Sequence, residues 1–404
     1  MKQLQKAERL SNVRYDVRGS VTMEALRMEK AGEKVIKLNI GNPAAFGIVS
    51  TPGALSAARE RIGGCQAYCG ANGLDDALEA IAAYASKKGI PDVKKDLIYT
   101  GNGVSELITM CMDALINPGD EVLIPTPDYP LWTAAAVMAG GTVRHYVCDE
   151  DSGWLPDIRD IESKISSRTK AIVIINPNNP TGALYPDNTL KEIALLAEKH
   201  SLVVFADEIY DRLLLSEKQH TSIASMIKDT LCITMNGLSK SHMLCGYRVG
   251  WMVLSGNTTD TSGLISGIDM LANMRLCANV PGQAVISEAL SGTARAEEYF
   301  LPGGRIYEQV YGACSALGAI EGVRVSKPEA AFYLFPGVDT DMYDIRDDDS
   351  FAMDLLKKER VLIVPGNGFN WSKKGYFRVV CLPDAELMTE AAGRIGEYLK
   401  SIRK

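Results

Sequence analysis

An alternation through the middle of the chain constrains its fold more than any other feature. Short apolar runs at 97–100, 121–125, 142–147, 171–176, 202–207, 231–236 and 251–254 are separated by helix-length segments such as 104–116 and 190–200. Each run is rich in Val, Ile, Leu or Tyr and ends near Gly, Pro, Asn or Asp. Strands alternating with helices predict a mostly parallel sheet covered by helices on both faces. Near-continuous apolar runs such as 202–206 suit strands buried on both sides.

The rest of the chain reads differently. Pro302-Gly303-Gly304 precedes a helical stretch from Arg305, then short strands around 323–325, 331–335, 361–364 and 376–380 and a helix from about 384 to 402. This predicts a smaller α+β domain, with the acidic stretch 339–349 as a solvated loop and a hinge near Pro302. The first 45 residues carry a helix (23–31) and a strand (35–40). The expected division is 1–45 as an N-terminal segment joining the small domain, 46–300 as the large domain and 301–404 as the small domain.

Composition excludes several classes. Apolar residues make up 46% of the 404 and charged residues 23%, enough for a large core and against disorder. The net charge of −7, with no basic stripe, argues against nucleic-acid binding. A spanning helix needs about 20 apolar residues, and the apolar runs here are far shorter, so no membrane partner is expected. The N-terminus lacks the apolar stretch of a signal peptide, and the nine cysteines are odd in number and scattered. Reduced thiols in a cytoplasmic protein without a metal site are the expectation.

Ligands of open α/β sheets gather at the carboxyl ends of strands, so the residues after each run carry the chemistry. Asp207 ends the run 202–207, where a buried carboxylate needs a cationic partner or a capping role, and Tyr210 follows it. Asn176-Pro177-Asn178-Asn179-Pro180-Thr181-Gly182 is turn chemistry that presents Asn179. Lys240, in Gly237-Leu238-Ser239-Lys240, could form a Schiff base if desolvated, and Arg248 could bind phosphate. Thr100-Gly101-Asn102-Gly103-Val104-Ser105 before a helix suits a phosphate cradle, but Glu106 breaks the dinucleotide fingerprint. Tyr129 and Trp132 offer rings at the sheet edge, and Arg378 sits in an apolar strand where it needs a carboxylate or phosphate.

Asn179, Asp207, Tyr210, Lys240, Arg248 and Arg378, in that order, resemble the fold-type I pyridoxal-phosphate aminotransferases of class I and II. The resemblance spans nearly the whole chain from Asn39-Ile40-Gly41-Asn42-Pro43. The strings at 38–46, 101–107, 127–134, 173–182, 274–281 and 364–370 resemble the bacterial glutamate–pyruvate (alanine) aminotransferases. The resemblance implies an aspartate-aminotransferase-like fold whose large domain holds a mostly parallel seven-stranded sheet. It also implies pyridoxal 5'-phosphate, amino acid and 2-oxo acid substrates, a homodimer, and ping-pong exchange through pyridoxamine phosphate. Lys240 would bond to the cofactor and move the substrate proton, and Asp207 would pair with the ring nitrogen. Asn179 and Tyr210 would reach the ring's 3-oxygen and Tyr129 would stack on the ring. Val104, Ser105, Ser239 and Arg248 would hold the phosphate, with Tyr68 reaching that of the neighbouring subunit. Arg378, with the Gly41 backbone, would clamp the substrate carboxylate, and Tyr15 and Trp132 would form pocket walls. Two departures stand out: Gly237 replaces the family's usual Ser, and Ala330 its usual Gly. L-alanine with 2-oxoglutarate is the expected pair. Aromatic or branched-chain donors, or C–S lyase chemistry, are the alternative, and a ligand-sensing regulator without turnover is disfavoured by the acidic chain.

Overall fold

The computed structural model describes residues 4–13, 15, 19–292 and 296–404. A helix spans Ser20–Lys30, and a two-residue strand, β1, follows at Ile36–Lys37. The apolar runs then appear as strands β2 (Ile98–Gly101), β3 (Glu121–Thr126), β4 (Thr142–Asp149), β6 (Thr169–Ile175), β7 (Val203–Asp207), β8 (Leu231–Gly237) and β9 (Gly250–Gly256). With β5 (Leu155–Pro156) they form one sheet in the order β2-β9-β8-β7-β6-β3-β4-β5. The sheet has eight strands rather than the expected seven. The extra one, β5 (Leu155–Pro156), is a two-residue edge strand antiparallel to the end of β4, too short to leave an apolar run.

Strands β8, β7, β6, β3 and β4 are mutually parallel, whereas β9 runs antiparallel to both of its neighbours. Every residue of β7 and β8 is buried, which is why they read as unbroken apolar runs. Successive side chains go to opposite faces. Val173, Phe205 and Ile233 pack with Leu107, Trp132 and Ile268 on one face. Ile172, Val204 and Cys232 pack with Ile81, Ile193 and Ala197 on the other. Because most strands run the same way, their carboxyl ends share one edge. Asp207 ends β7, and Val104, Tyr129, Asn179 and Lys240 lie just beyond such ends. The reversal of β9 makes it start at that edge, so Arg248, two residues before it, arrives there too.

The remaining elements are a helix at Arg305–Gly318, strands β10 (Val323–Arg324), β11 (Tyr333–Leu334) and β12 (Gly337–Val338), and a helix at Asp348–Glu359. Strands β13 (Val361–Leu362), β14 (Val364–Pro365) and β15 (Phe377–Val380) and the helix Ala385–Ser401 complete the chain. Asp384 caps that last helix by accepting the Leu387 N–H at 2.9 Å, a contact that stabilises a helix start by about 1 kcal/mol. Strand β15 lies between β11 and β14 and is antiparallel to both. Strand β1 pairs in parallel with β13, and Val21, Met28, Ile36 and Leu38 share a core with Ile306, Leu355, Leu362 and Ile395. The stretch 339–349 is not the solvated loop its acidity predicts. Tyr343, Ile345 and Asp348 are buried, and Asp348 accepts the N–H groups of Gly375 and Asn367 at 2.7 and 3.1 Å. Those backbone donors make burial of the carboxyl tolerable. Among the described residues no helix is long and apolar enough to cross a membrane.

Candidate active site

At the shared strand edge lies a cavity of about 540 Å³. Its walls include Tyr15, Gly41, Val104, Ser105, Tyr129, Asn179, Asp207, Tyr210, Ser239, Lys240, Arg248 and Arg378. Of the residues singled out from the sequence, Tyr68 and Trp132 lie outside this wall. Tyr68 is 78% exposed on the surface. Trp132 is fully buried beneath the floor, where its indole Nε1–H donates to Asp207 Oδ2 at 3.0 Å. It is therefore no pocket wall. The apolar helix that carries it, Leu131–Met138, turns the ring down onto the sheet beside Phe205, with ring centroids 5.5 Å apart.

Asp207 sits at the end of β7 and is 3% exposed. Its donors are both neutral: the Trp132 indole and the Ile209 N–H, the latter 3.3 Å from Oδ1. Burial pushes its carboxyl up to about 6, and the two donors only partly offset this. A carboxylate at that depth without a cation bonded to it among the described residues is prepared for a positive group in the cavity.

Arg378 is the converse case. The guanidinium is buried between the rings of Tyr333 and Phe369, each 4.8 Å from its central carbon. Nη1 donates to Asn179 Oδ1 at 3.0 Å and Nη2 to the Asn39 carbonyl at 2.6 Å, while Nε has no partner among the described residues. Burial lowers its pKa, yet an arginine in this setting keeps its charge. Both acceptors are neutral, so the charge is left for an anion. The Asn179 turn is held by its own residues. Asn178 Oδ1 accepts from the Thr181 N–H and hydroxyl, and Asn176 Oδ1 from the Tyr185 N–H. Asn179 is thereby released to face the cavity.

Between these charges, Lys240 Nζ donates to the Gly41 carbonyl at 2.7 Å. A Cβ on Gly41 would fall 2.5 Å from the Tyr333 hydroxyl, so this approach requires glycine. The helix Val104–Leu115 begins at Gly103, which adopts φ +83° and offers no side-chain cap, so the first amides open on the cavity. Arg248 adopts φ +54°, a left-handed conformation that costs about 1–2 kcal/mol. Among the described residues its Nη1 and Nη2 bond to the carbonyls of Cys245 and Asn102, at 2.9 and 3.3 Å. A Cβ on Gly103 would meet Arg248 Nη2 at 2.4 Å. Helix amides beside a guanidinium with neutral partners make a phosphate cradle.

Several wall residues escaped sequence reasoning. The Tyr333 hydroxyl lies 2.9 Å from that of Tyr210, Tyr15 and Tyr129 pair their hydroxyls at 3.1 Å, and Cys245 Sγ stands 4.0 Å from Lys240 Nζ. Burial raises the Tyr129 and Tyr210 hydroxyls well above the ordinary range, so both are neutral hydrogen-bonding groups. Only the position of Tyr333 in the strand before Arg378 could have signalled it. Gly237 packs against backbone: a Cβ there would lie 2.6 Å from the Val249 carbonyl. This crowding accounts for the absence of the usual serine.

The donor set therefore fits pyridoxal 5'-phosphate: a cradle for the phosphate, an amine, and a buried carboxylate for the ring nitrogen. The aminotransferase class I and II family profile matches residues 33–395. The glutamate-pyruvate aminotransferase AlaA of Haemophilus influenzae is 47% identical over 404 residues, covering 100% of both chains. A crystal structure of an aminotransferase from Escherichia coli superposes with a TM-score of 0.98 at 46% identity, covering 100% of both chains. An alanine aminotransferase from Pyrococcus furiosus gives 0.93 at 36% identity, covering 98% of this chain and 100% of that one.

Proposed function

The chain belongs to the class I and II aminotransferases, a pyridoxal-phosphate-dependent family, and from that premise we propose its reaction and the duties of its residues. It transfers the amino group of L-alanine to 2-oxoglutarate, giving pyruvate and L-glutamate. The observation that carries this reading is the joint placement of Lys240, Asp207, Arg248 and Arg378 around one cavity. Pyridoxal 5'-phosphate supplies there an electrophilic aldehyde and an electron-accepting ring that keeps the amino group between two half-reactions.

The chain's residues do the rest. Val104 and Ser105 amides, the Ser239 hydroxyl and Arg248 bind the phosphate. Asp207 holds the proton on the ring nitrogen, and Tyr129 covers the ring. Asn179, whose carbonyl oxygen is engaged by Arg378, directs its amide N–H groups to the ring oxygen, joined by the Tyr210 hydroxyl. Arg378 binds the substrate α-carboxylate and so fixes where the α-hydrogen points. Lys240 takes that proton from Cα and returns it. Small donors suit a cavity narrowed by the Tyr15–Tyr129 pair.

The assembly we assign is a homodimer. Tyr68, Met274 and Leu276 are exposed, and Arg275 donates to the Ala71 carbonyl at 3.2 Å, which brings the two exposed segments together. Such a patch suits a second copy of the chain, whose cavity Tyr68 would complete. The N-terminal segment 1–45 and residues 301–404 would then form the smaller domain over the body 46–300.

The test is an absorbance spectrum of purified protein loaded with pyridoxal 5'-phosphate. L-alanine should bleach the yellow band, and 2-oxoglutarate or pyruvate should restore it. A band indifferent to alanine would move the assignment to other amino donors. No band at all would remove the roles of Lys240 and Asp207.

A further inference from the structure

On the far side of β7 and β8 from the cavity lies a second charged group. Glu208 and Asp211 are 2% and 5% exposed and bracket Ile209 and Tyr210. One ammonium, Lys88 Nζ, donates to both: to Glu208 Oε2, and to Asp211 Oδ2 at 2.6 Å. The Ser222 hydroxyl donates to Glu208 Oε1 at 2.7 Å, and Tyr84 and Asn236 donate to Asp211 Oδ2 at 2.6 and 2.8 Å. His220 completes a trio with the two carboxylates within 4.8 Å, but Lys88 already holds the position a metal ion would take.

The cluster is tied to the cavity by backbone. Glu208 directly follows Asp207, and its N–H donates to the Met235 carbonyl at 2.9 Å, locking β7 to the strand that leads into Lys240. Two carboxylates and one ammonium leave this cluster with one net negative charge immediately behind Asp207. His220 is kept neutral by burial, so it adds no compensating charge. The titratable and charged groups facing this region are Tyr84 and Lys88 from the helix Asp75–Lys87 and its end, and Glu208, Asp211 and Arg212 after β7. His220, then His242 and Glu297 bonded to Arg212, and Tyr129, Tyr210, Lys240 and Arg378 on the cavity side belong to the same set among the described residues.

We propose that Lys88 is a positioning residue for Asp207: by offsetting the charge of Glu208 and Asp211 it keeps the Asp207 carboxylate ionised toward the cavity. The inference deepens the role given to Asp207 under the proposed function, and its test needs no cofactor.

Trp132 supplies the readout, because its indole N–H donates to Asp207. The chain has four tryptophans, so the Trp132 indole resonance is identifiable by its loss in Trp132→Phe. Its chemical shift should titrate in the cofactor-free protein with the midpoint of Asp207, near 6. In Lys88→Met the midpoint should rise by about one pH unit, the effect of one uncompensated charge at roughly 10 Å and an effective dielectric of about 20. Lys88→Arg should leave it in place. Glu208→Gln alone should lower it, which keeps the test open if Lys88→Met fails to fold. A folded Lys88→Met with an unmoved midpoint, or a Glu208→Gln with no downward shift, would overturn the proposal. A protein that titrates as expected but takes no pyridoxal 5'-phosphate would overturn the proposed function and leave this inference standing.

Discussion

The two sides of β7 and β8 carry charged side chains and treat them in opposite ways. On the far face, Lys88 bonds to both Glu208 and Asp211, so each charge there meets an opposite one. On the cavity face, Asp207, Arg248 and Arg378 are bonded to neutral partners: an indole and an amide for the acid, carbonyl and carboxamide oxygens for the arginines. The first arrangement stabilises the fold. The second withholds the pairing that a bound molecule is to supply, at a cost in stability. Burial alone does not mark a functional charge, and the charge type of its partner separates the two faces.

The contrast can be broken most sharply at Lys240. Lys240→Ala should lower kcat by about 10⁴-fold or more, while the unfolding midpoint in denaturant hardly moves. Lys240 gives the fold a bond to the Gly41 carbonyl and a long contact to Cys245 Sγ, so a large stability loss would place it with the far-face charges. Lys88→Met is the opposite case. It should cost about 3–5 kcal/mol in equilibrium unfolding, because it strands two buried carboxylates.

Asp207→Asn sharpens the comparison through pH. The carboxyl titrates at about 6 in the folded chain, above the ordinary carboxylate value, so the folded state holds its proton more tightly than the unfolded one. Its favourable contribution is present at low pH and is lost as pH rises from about 4 to about 6. The cofactor-free Asn variant should therefore be more stable than the parent by about 1–3 kcal/mol at pH 8 and equal to it at pH 4. Thermal unfolding at the two pH values checks this, and a variant less stable at pH 8 would remove Asp207 from the withheld class. The smallest effect is expected at Tyr333→Phe. Losing the hydroxyl bonded to Tyr210 should change kcat/KM by an amount equivalent to about 0.5–1.5 kcal/mol, measured with L-alanine.

Much of this was legible in the sequence because it is local. The strand runs β6 and β7 announce themselves by consecutive Val, Ile and Phe, and Asn179, Asp207 and Lys240 lie at or after the ends of β6, β7 and β8. What stayed hidden depends on pairing across long sequence distances. Trp132 reads as a ring at the sheet edge that walls the pocket until the helix that carries it is laid on the sheet, 75 residues from its partner Asp207. Lys88 looks like an ordinary helix-end lysine until it is seen against Glu208, 120 residues on. The two-residue strands β5 and β12 carry too few side chains to set a period. The acidity of 339–349 gives no hint that Asp348 turns inward, because its backbone donors come from Asn367 and Gly375.

One feature of the cavity bears on how mutational surveys of this protein should be read. The carbonyl of Asn39 receives Arg378 and the carbonyl of Gly41 receives Lys240, so a three-residue stretch anchors both cations with atoms every amino acid possesses. No side-chain replacement at 39 or 40 deletes either acceptor. A deep substitution scan will therefore score Ile40 and its neighbours by their packing alone and pass over their most important contacts. Replacing a peptide bond by an ester, which weakens the acceptor without altering the sequence of side chains, is the perturbation that would make those two oxygens visible.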